Sequence, residues 1–238
     1  MSAEDDLAKP GADHRPRVAA ERRGKMRARL LDTVLDLYQP GKGGSALVID
    51  DVVRAAGVAR GTFYKYFETL DQAVAETGEG LAEQMVLDFA AVFESETDAS
   101  VRAVGGAAMT LLRAQRDPAW AGFTCRVDYV DFFARHSVFD LLVRAALREA
   151  KAVGRLHFSS LDAAVDLIIG ATVEARRRVM RGVEEPEEYA RALLGMVFAG
   201  LGMNEGAFDA AYTKARARIE VRARSLPWWA QAEGSDQP

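Results

Sequence analysis

The sequence predicts an all-α protein in two parts, a small N-terminal helical domain followed by a larger helical one. Three observations carry this expectation. Apolar residues recur at spacings of three and four along most of the chain, no segment sustains the period-two alternation of a half-buried strand, and Asn-Gly or Asp-Gly hairpin signals are missing. With 49% apolar residues among 238, the chain has enough material for a sizeable core.

The elements follow in order. Residues 1–20, with Pro10, Gly11 and Pro16, read as a mobile arm. From Glu21 onward Met26, Leu30, Leu31, Val34, Leu35 and Tyr38 mark one helical face, which Pro40-Gly41 ends. A short second helix carries Ile49, Val52, Val53 and Ala56, with Ser45 a candidate upstream cap and Gly57 a left-handed stop. Val58 and Ala59 form a turn, and a third helix runs from Arg60 to Phe67 with Phe63 and Phe67 on its inner side. Beyond it, helices are predicted at about 71–94, 100–116, 118–135, 137–153, 160–181, 187–203 and 207–225. Asp117-Pro118, Val153-Gly154 and Glu185-Pro186 separate them. The predicted organisation is an arm (1–20), a first domain (21–70), a second domain (71–225) and a C-terminal tail (226–238), whose Trp228 and Trp229 are expected to dock on the body.

Charge is unevenly distributed. Residues 15–66 hold eleven bases and five acids (+6), whereas residues 67–238 hold nineteen bases and twenty-six acids (−7). Arg15 to Arg29 alone carries seven bases against Glu21, a composition suited to phosphate contacts. The longest uncharged apolar run, Ala192 to Met203, is too short to span a bilayer, and the acidic start lacks a secretory h-region, so no membrane is expected as a partner. One cysteine, Cys125, excludes an internal disulfide and a multi-cysteine zinc site, and a reducing cytoplasm is the expected compartment. His14, His136 and His157 are scattered without metal-ligand spacing. No metal or other cofactor is expected, and no nucleophile, base and orienter set suggests an enzyme. Gly41 to Ser45 lacks the residue order of a phosphate loop and reads as an interhelical loop.

Two short helices joined by a glycine-containing turn form a helix-turn-helix, whose second helix fits a major groove. Arg60 and Lys65 can meet phosphate or guanine, the hydroxyls of Tyr64 and Tyr66 can bond phosphate, and Thr62 is small enough for close approach to bases.

The run Ala55-Ala56-Gly57-Val58-Ala59-Arg60-Gly61-Thr62-Phe63-Tyr64-Lys65-Tyr66-Phe67 resembles the recognition segment of the TetR family of regulators, and a weaker likeness extends from about Arg22 to Leu81. The resemblance implies a homodimeric, all-helical, ligand-responsive repressor that binds a palindromic double-stranded DNA operator through its N-terminal domain. It implies that Arg60, Thr62, Tyr64, Lys65 and Tyr66 face the operator while Phe63 and Phe67 pack inside, and that the second domain binds an inducer and dimerises. Val48, Ala59 and Leu70 stand where the family usually has Thr or Ser, Ser, and Lys. An effector-independent DNA binder, or an enzyme built on the second domain, are the alternatives.

Two further expectations concern that second domain. Trp120, Phe123, Tyr129, Phe133 and His136 lie in a segment dense in aromatic residues and are the candidate wall of a pocket for an apolar or aromatic small molecule, with Met109 and Phe89 completing it. Ile169 and Val173 on one helix, with Leu194, Val197, Phe198 and Leu201 on another, are the candidate dimer interface. Two basic groups read as structural: Arg176, Arg177, Arg178 and Arg181 as complements to a helix C-terminus, and Lys214, Arg216, Arg218, Arg222 and Arg224 as a solvated helix face.

Overall fold

The structure is a computed structural model, and it describes residues 14–39, 42, 47–125 and 137–229. Among these residues there is no strand, and, besides a helical stretch at 227–229, there are ten α-helices. They are α1 (His14–Asp36), α2 (Ile49–Ala56), α3 (Arg60–Phe63), α4 (Leu70–Phe93), α5 (Ala99–Arg116), α6 (Pro118–Thr124), α7 (Val138–Ala152), α8 (Leu161–Arg181), α9 (Pro186–Gly200) and α10 (Glu205–Arg222). None of the described helices is long and apolar enough to cross a membrane.

Side-chain caps set most of the helix starts. Thr69, Asp98, Asp117, Ser137, Ser160 and Asn204 each accept a backbone N–H from the first turn of α4, α5, α6, α7, α8 and α10 respectively. The proline at the first position of α9 needs no N–H there. The predicted breaks fall where these signals stand. The largest departures from the expected boundaries are at α1 and at α3, which closes at Phe63 rather than Phe67. Helix α1 begins at His14 rather than near Glu21, because Arg17, Ala19, Ala20, Arg22 and Arg23 face solvent and leave no apolar period to read. Of the helix expected at 118–135 the structure describes α6, Pro118–Thr124, where the Thr124 hydroxyl bonds back to the Trp120 carbonyl at 2.8 Å; residues 126–135 lie outside the described residues.

Helix α5 is the centre of the body and is buried around nearly its whole circumference. Its many small residues let neighbours approach closely: a Cβ on Gly105 would lie 2.3 Å from the Phe93 ring of α4. Helices α4, α6, α7, α8, α9 and α10 surround it. Helix α10 lays Phe208, Tyr212, Ala215 and Ile219 into this core, as its apolar spacing predicts.

Of its basic residues Arg222, with Arg224 just beyond, faces solvent as expected, but three others also make contacts to neighbouring elements. Lys214 Nζ reaches the buried Glu96 carboxylate at 3.0 Å, Arg218 donates to the Val92 carbonyl at 2.6 Å, and Arg216 pairs with Glu187 at 2.9 Å, so the charges fasten α10 to its neighbours. Arg176 departs from its expected role in the same way. It is buried, its guanidinium 5.1 Å from the Trp120 ring centroid, because it shares a helix face with Ile169, Thr172 and Val173.

The tail docks. Trp228 Nε1 donates to Asp88 Oδ2 at 2.9 Å, and Arg113 Nη1 reaches the same oxygen at 3.1 Å. Gln84 Nε2 donates to Asp88 Oδ1 at 2.7 Å, and Arg116 stacks 3.8 Å over the Trp229 ring. A fully buried carboxylate is thus hydrogen-bonded on both oxygens and paired with a cation, the condition under which a buried charge is tolerated.

Candidate nucleic-acid interface and cavity

Helix α2 ends on Gly57 at φ 63°, ψ 39°, and the N–H groups of Gly57 and Val58 return to the carbonyls of Arg54 and Val53 at 3.2 and 3.0 Å. This left-handed stop is the one predicted, and it favours glycine because L side chains rarely adopt that φ. At the other end Val48 has no side-chain oxygen, and the Asp51 carboxylate accepts the Val48 N–H at 3.3 Å. Ser45, the candidate upstream cap, lies outside the described residues.

Helix α3 is a single α-turn, prolonged by hydrogen-bonded turns from Lys65 to Thr62 and from Tyr66 to Phe63. Phe63 and Phe67 are fully buried, their centroids 5.5 Å apart, in the same core as Leu30, Val34, Val52 and Ala56. Arg60, Gly61, Tyr64 and Lys65 are exposed, and Thr62 and Tyr66 are half-buried. All five sequence-nominated residues therefore occur on one short segment whose opposite side is anchored by two rings. A Cβ at Gly61 would meet nothing within 4 Å, so this face stands open to an approaching surface. The Arg60 guanidinium is 3.2 Å from Asp50 and 5.9 Å from the Tyr64 ring centroid, which leaves it tethered but accessible.

One positioning residue was not singled out by the sequence. Arg27 of α1 donates from Nη1 to the Tyr66 carbonyl at 2.9 Å and from Nε to Glu76 Oε1 of α4 at 2.6 Å, with Nη2 on the second Glu76 oxygen. Its guanidinium lies 4.5 Å over the Phe67 ring. A planar fork is what such a three-way tie requires. Its partners are 39 and 49 residues away, so local pattern carries no signal for it.

The two domains meet again where α1 ends. Gly122 of α6 lies against the Tyr38 backbone, and the Tyr38 and Phe123 rings pack edge-on at 4.9 Å. Trp120 and Phe123 are fully buried; Trp120 sits between Arg113 and Arg176 at 4.9 and 5.1 Å. Cys125 is buried beside Arg177, which donates to its carbonyl at 2.9 Å, and burial pushes the thiol above its ordinary pKa despite the nearby Arg176 and Arg177 charges.

Between α4, α5, α7 and α8 the body contains an apolar cavity with an open mouth. Phe89 and Met109, named from the sequence as completing walls, line it; Trp120 and Phe123 do not. Tyr129, Phe133 and His136 lie outside the described residues.

The six candidate dimer residues face inward in this chain. Ile169, Val173, Leu194, Val197, Phe198 and Leu201 are all buried in the chain's own core, because α5 and α10 already cover that face of α8 and α9. What those helices present outward is Leu167 and Met196, 42% and 68% exposed, with Gly170, Ala192, Ala199 and Gly200. Leu167 reaches across to α9, its Cδ2 being 3.5 Å from where a Cβ on Gly200 would stand, so the two outward faces are continuous.

A small helix-turn-helix domain joined through a long helix to a larger all-helical body with a cavity is an architecture shared with solved structures. No protein-family model and no curated protein matches the chain in sequence. In structure it resembles RolR in complex with resorcinol (TM-score 0.59, 22% identity, 87% of this chain and 98% of that one). It also resembles a TetR family transcription regulator from Marinobacter aquaeolei VT8 (0.61, 15%, 76% and 98%). A third likeness is to the fatty acid degradation regulator FadR from Bacillus halodurans (0.60, 17%, 75% and 97%). The chain has the fold of the TetR-family transcription regulators, as its recognition segment led one to expect.

Proposed function

We propose that the protein is a ligand-responsive, homodimeric transcriptional regulator that binds a two-fold symmetric operator through α3 and releases it when a small molecule enters the body. The observation that carries this reading is the partition of one short segment, in which Phe63 and Phe67 anchor the inner side while Arg60, Tyr64 and Lys65 stand exposed on the outer. Basic and hydroxyl groups on a rigidly seated segment are what phosphate and base edges require. The exposed bases of α1, Arg17, Arg22, Arg23 and Lys25, extend the same positive surface. Repression, rather than activation, follows the resemblance to the family.

The dimer is assigned to the outward faces of α8 and α9, with Leu167, Met196 and the small residues between them against a second copy of the chain. Exposed apolar side chains beside residues that permit close approach favour helix-on-helix packing, and a palindromic site calls for a two-fold axis. Release works through the junction: a ligand between α4, α5, α7 and α8 bears on α4, which carries Glu76 and hence Arg27 and the end of the recognition segment. It acts only to the extent that it binds one arrangement better than the other.

Selection of bound duplexes from a random pool tests the reading. Enrichment of an inverted repeat with half-sites about one helical turn apart is expected, and recovery of no sequence above background would overturn it. An effector-independent binder would show the same enrichment and keep its DNA in the presence of every compound tried.

A further inference from the structure

We infer that the cavity takes a small organic monocarboxylate, its acid group held at the mouth by Arg102 and its apolar body directed inward. This deepens the reading of the cavity as the effector site and rests on it. The wall is built from Met85, Phe89, Met109, Phe139 and Ile169 and similar residues, and among the described residues Arg102 is the one charged side chain lining it. Thr110 and Thr172 also line it, but both hydroxyls donate to carbonyls of their own helices, leaving only acceptor capacity toward the space. Arg102 is different. Its Nε is buried and has no hydrogen-bond partner, and the nearest carboxylate oxygen, Glu149 Oε2, stands 3.7 Å away, beyond hydrogen-bond reach. A buried donor left without a hydrogen bond is costly even when a carboxylate stands nearby, and an entering anion would relieve that cost with a charge-assisted bond.

The geometry also orders the ligand. The Arg102 side chain is 30% exposed and so sits at the rim, while the residues deeper in the wall are apolar and buried. An amphiphile with its charge at the rim and its body among methionine, phenylalanine and isoleucine satisfies both. Among the described residues no acidic side chain lines the wall, which favours an acid over an amine. Glu149, outside the lining, competes with the ligand for the guanidinium.

The test uses the full chain and two probes of equal size, octanoate and its neutral isostere octanamide, titrated by calorimetry. Octanoate is expected to bind the wild type about tenfold or more tightly than octanamide, the size of one hydrogen bond to a charged group. Arg102→Gln should bring that ratio to about one with octanamide affinity unchanged, and Glu149→Gln should strengthen octanoate binding. Ala107→Leu, which fills the cavity, should weaken both probes. Equal binding of the two probes to the wild type, no octanoate binding at all, a preference for octanoate that survives Arg102→Gln, or indifference of both probes to Ala107→Leu would each overturn the inference. A gel shift with octanoate separates the two readings: octanoate that binds through Arg102 but leaves the DNA complex intact removes the effector role and leaves the acid site standing.

Discussion

Gly122 of α6 lies so close to Tyr38 at the end of α1 that a Cβ at position 122 would stand 2.0 Å from the Tyr38 carbonyl oxygen. Backbone meets backbone at the contact between the N-terminal domain and the body, with no flexible side chain to yield. Gly122→Ala must therefore force the two apart. Overpacking of this kind costs about 1–3 kcal/mol, so the melting temperature should fall by several degrees while the helical circular dichroism is kept. An unchanged melting curve would show that the domains do not touch there in solution.

On the recognition segment, Tyr64→Ala and Lys65→Ala should each weaken operator binding about tenfold to a hundredfold and leave the melting temperature unaltered, since both side chains are exposed. Phe63→Ala should do the reverse first, costing about 3–5 kcal/mol of stability because the ring is fully buried. Gel shifts and thermal melts on the same preparations separate the two classes. Wild-type affinity in both exposed-residue variants would remove α3 from the interface.

Arg27→Gln unties α1 from the Tyr66 carbonyl and from Glu76 together. After allowance for solvent screening the expected loss is about 1–2 kcal/mol of stability, accompanied by weaker operator binding. Arg27→Lys should not rescue either, because an ammonium cannot span both acceptors as the fork does. Full recovery in the lysine variant would reduce Arg27 to a generic charge.

Glu96 gives a pH dependence. Burial by itself raises its carboxyl pKa, but the Asp98 N–H at 3.0 Å, Lys214 at 3.0 Å and Arg218 at 3.7 Å more than offset this and hold it below the ordinary carboxylate value. A depressed folded-state pKa means that the stabilisation is present above the unfolded-state value and is lost as pH falls through the folded one. Glu96→Gln should accordingly be less stable than wild type at neutral pH, with the gap closing below about pH 4. Denaturant melts at a series of pH values check this, and a gap of constant size would contradict it.

For the dimer, Leu167→Asp combined with Met196→Asp should yield folded monomers by light scattering, with operator affinity lost along with the two-fold pairing. Val197→Asp should instead unfold the chain, since Val197 is buried in its own core. A dimeric double variant would place the interface elsewhere.

Most helix positions and the seating of α3 are legible in the sequence. Helix caps, prolines and the glycine at 57 are local devices, and Phe63 and Phe67 declare their inner side by spacing alone, so both could be read from neighbours in the chain. Tertiary structure decided the rest. Val197 and Phe198 are equally apolar whether they face α10 or a second copy, and only the packed arrangement shows which side of α9 is already covered. The cavity is formed by α4, α5, α7 and α8 together, and Trp120 does not line it but fills the core between two arginines. Arg27, Arg102 and Asp88 acquire their roles from partners on other helices, at sequence separations over which a linear pattern holds no record of who meets whom.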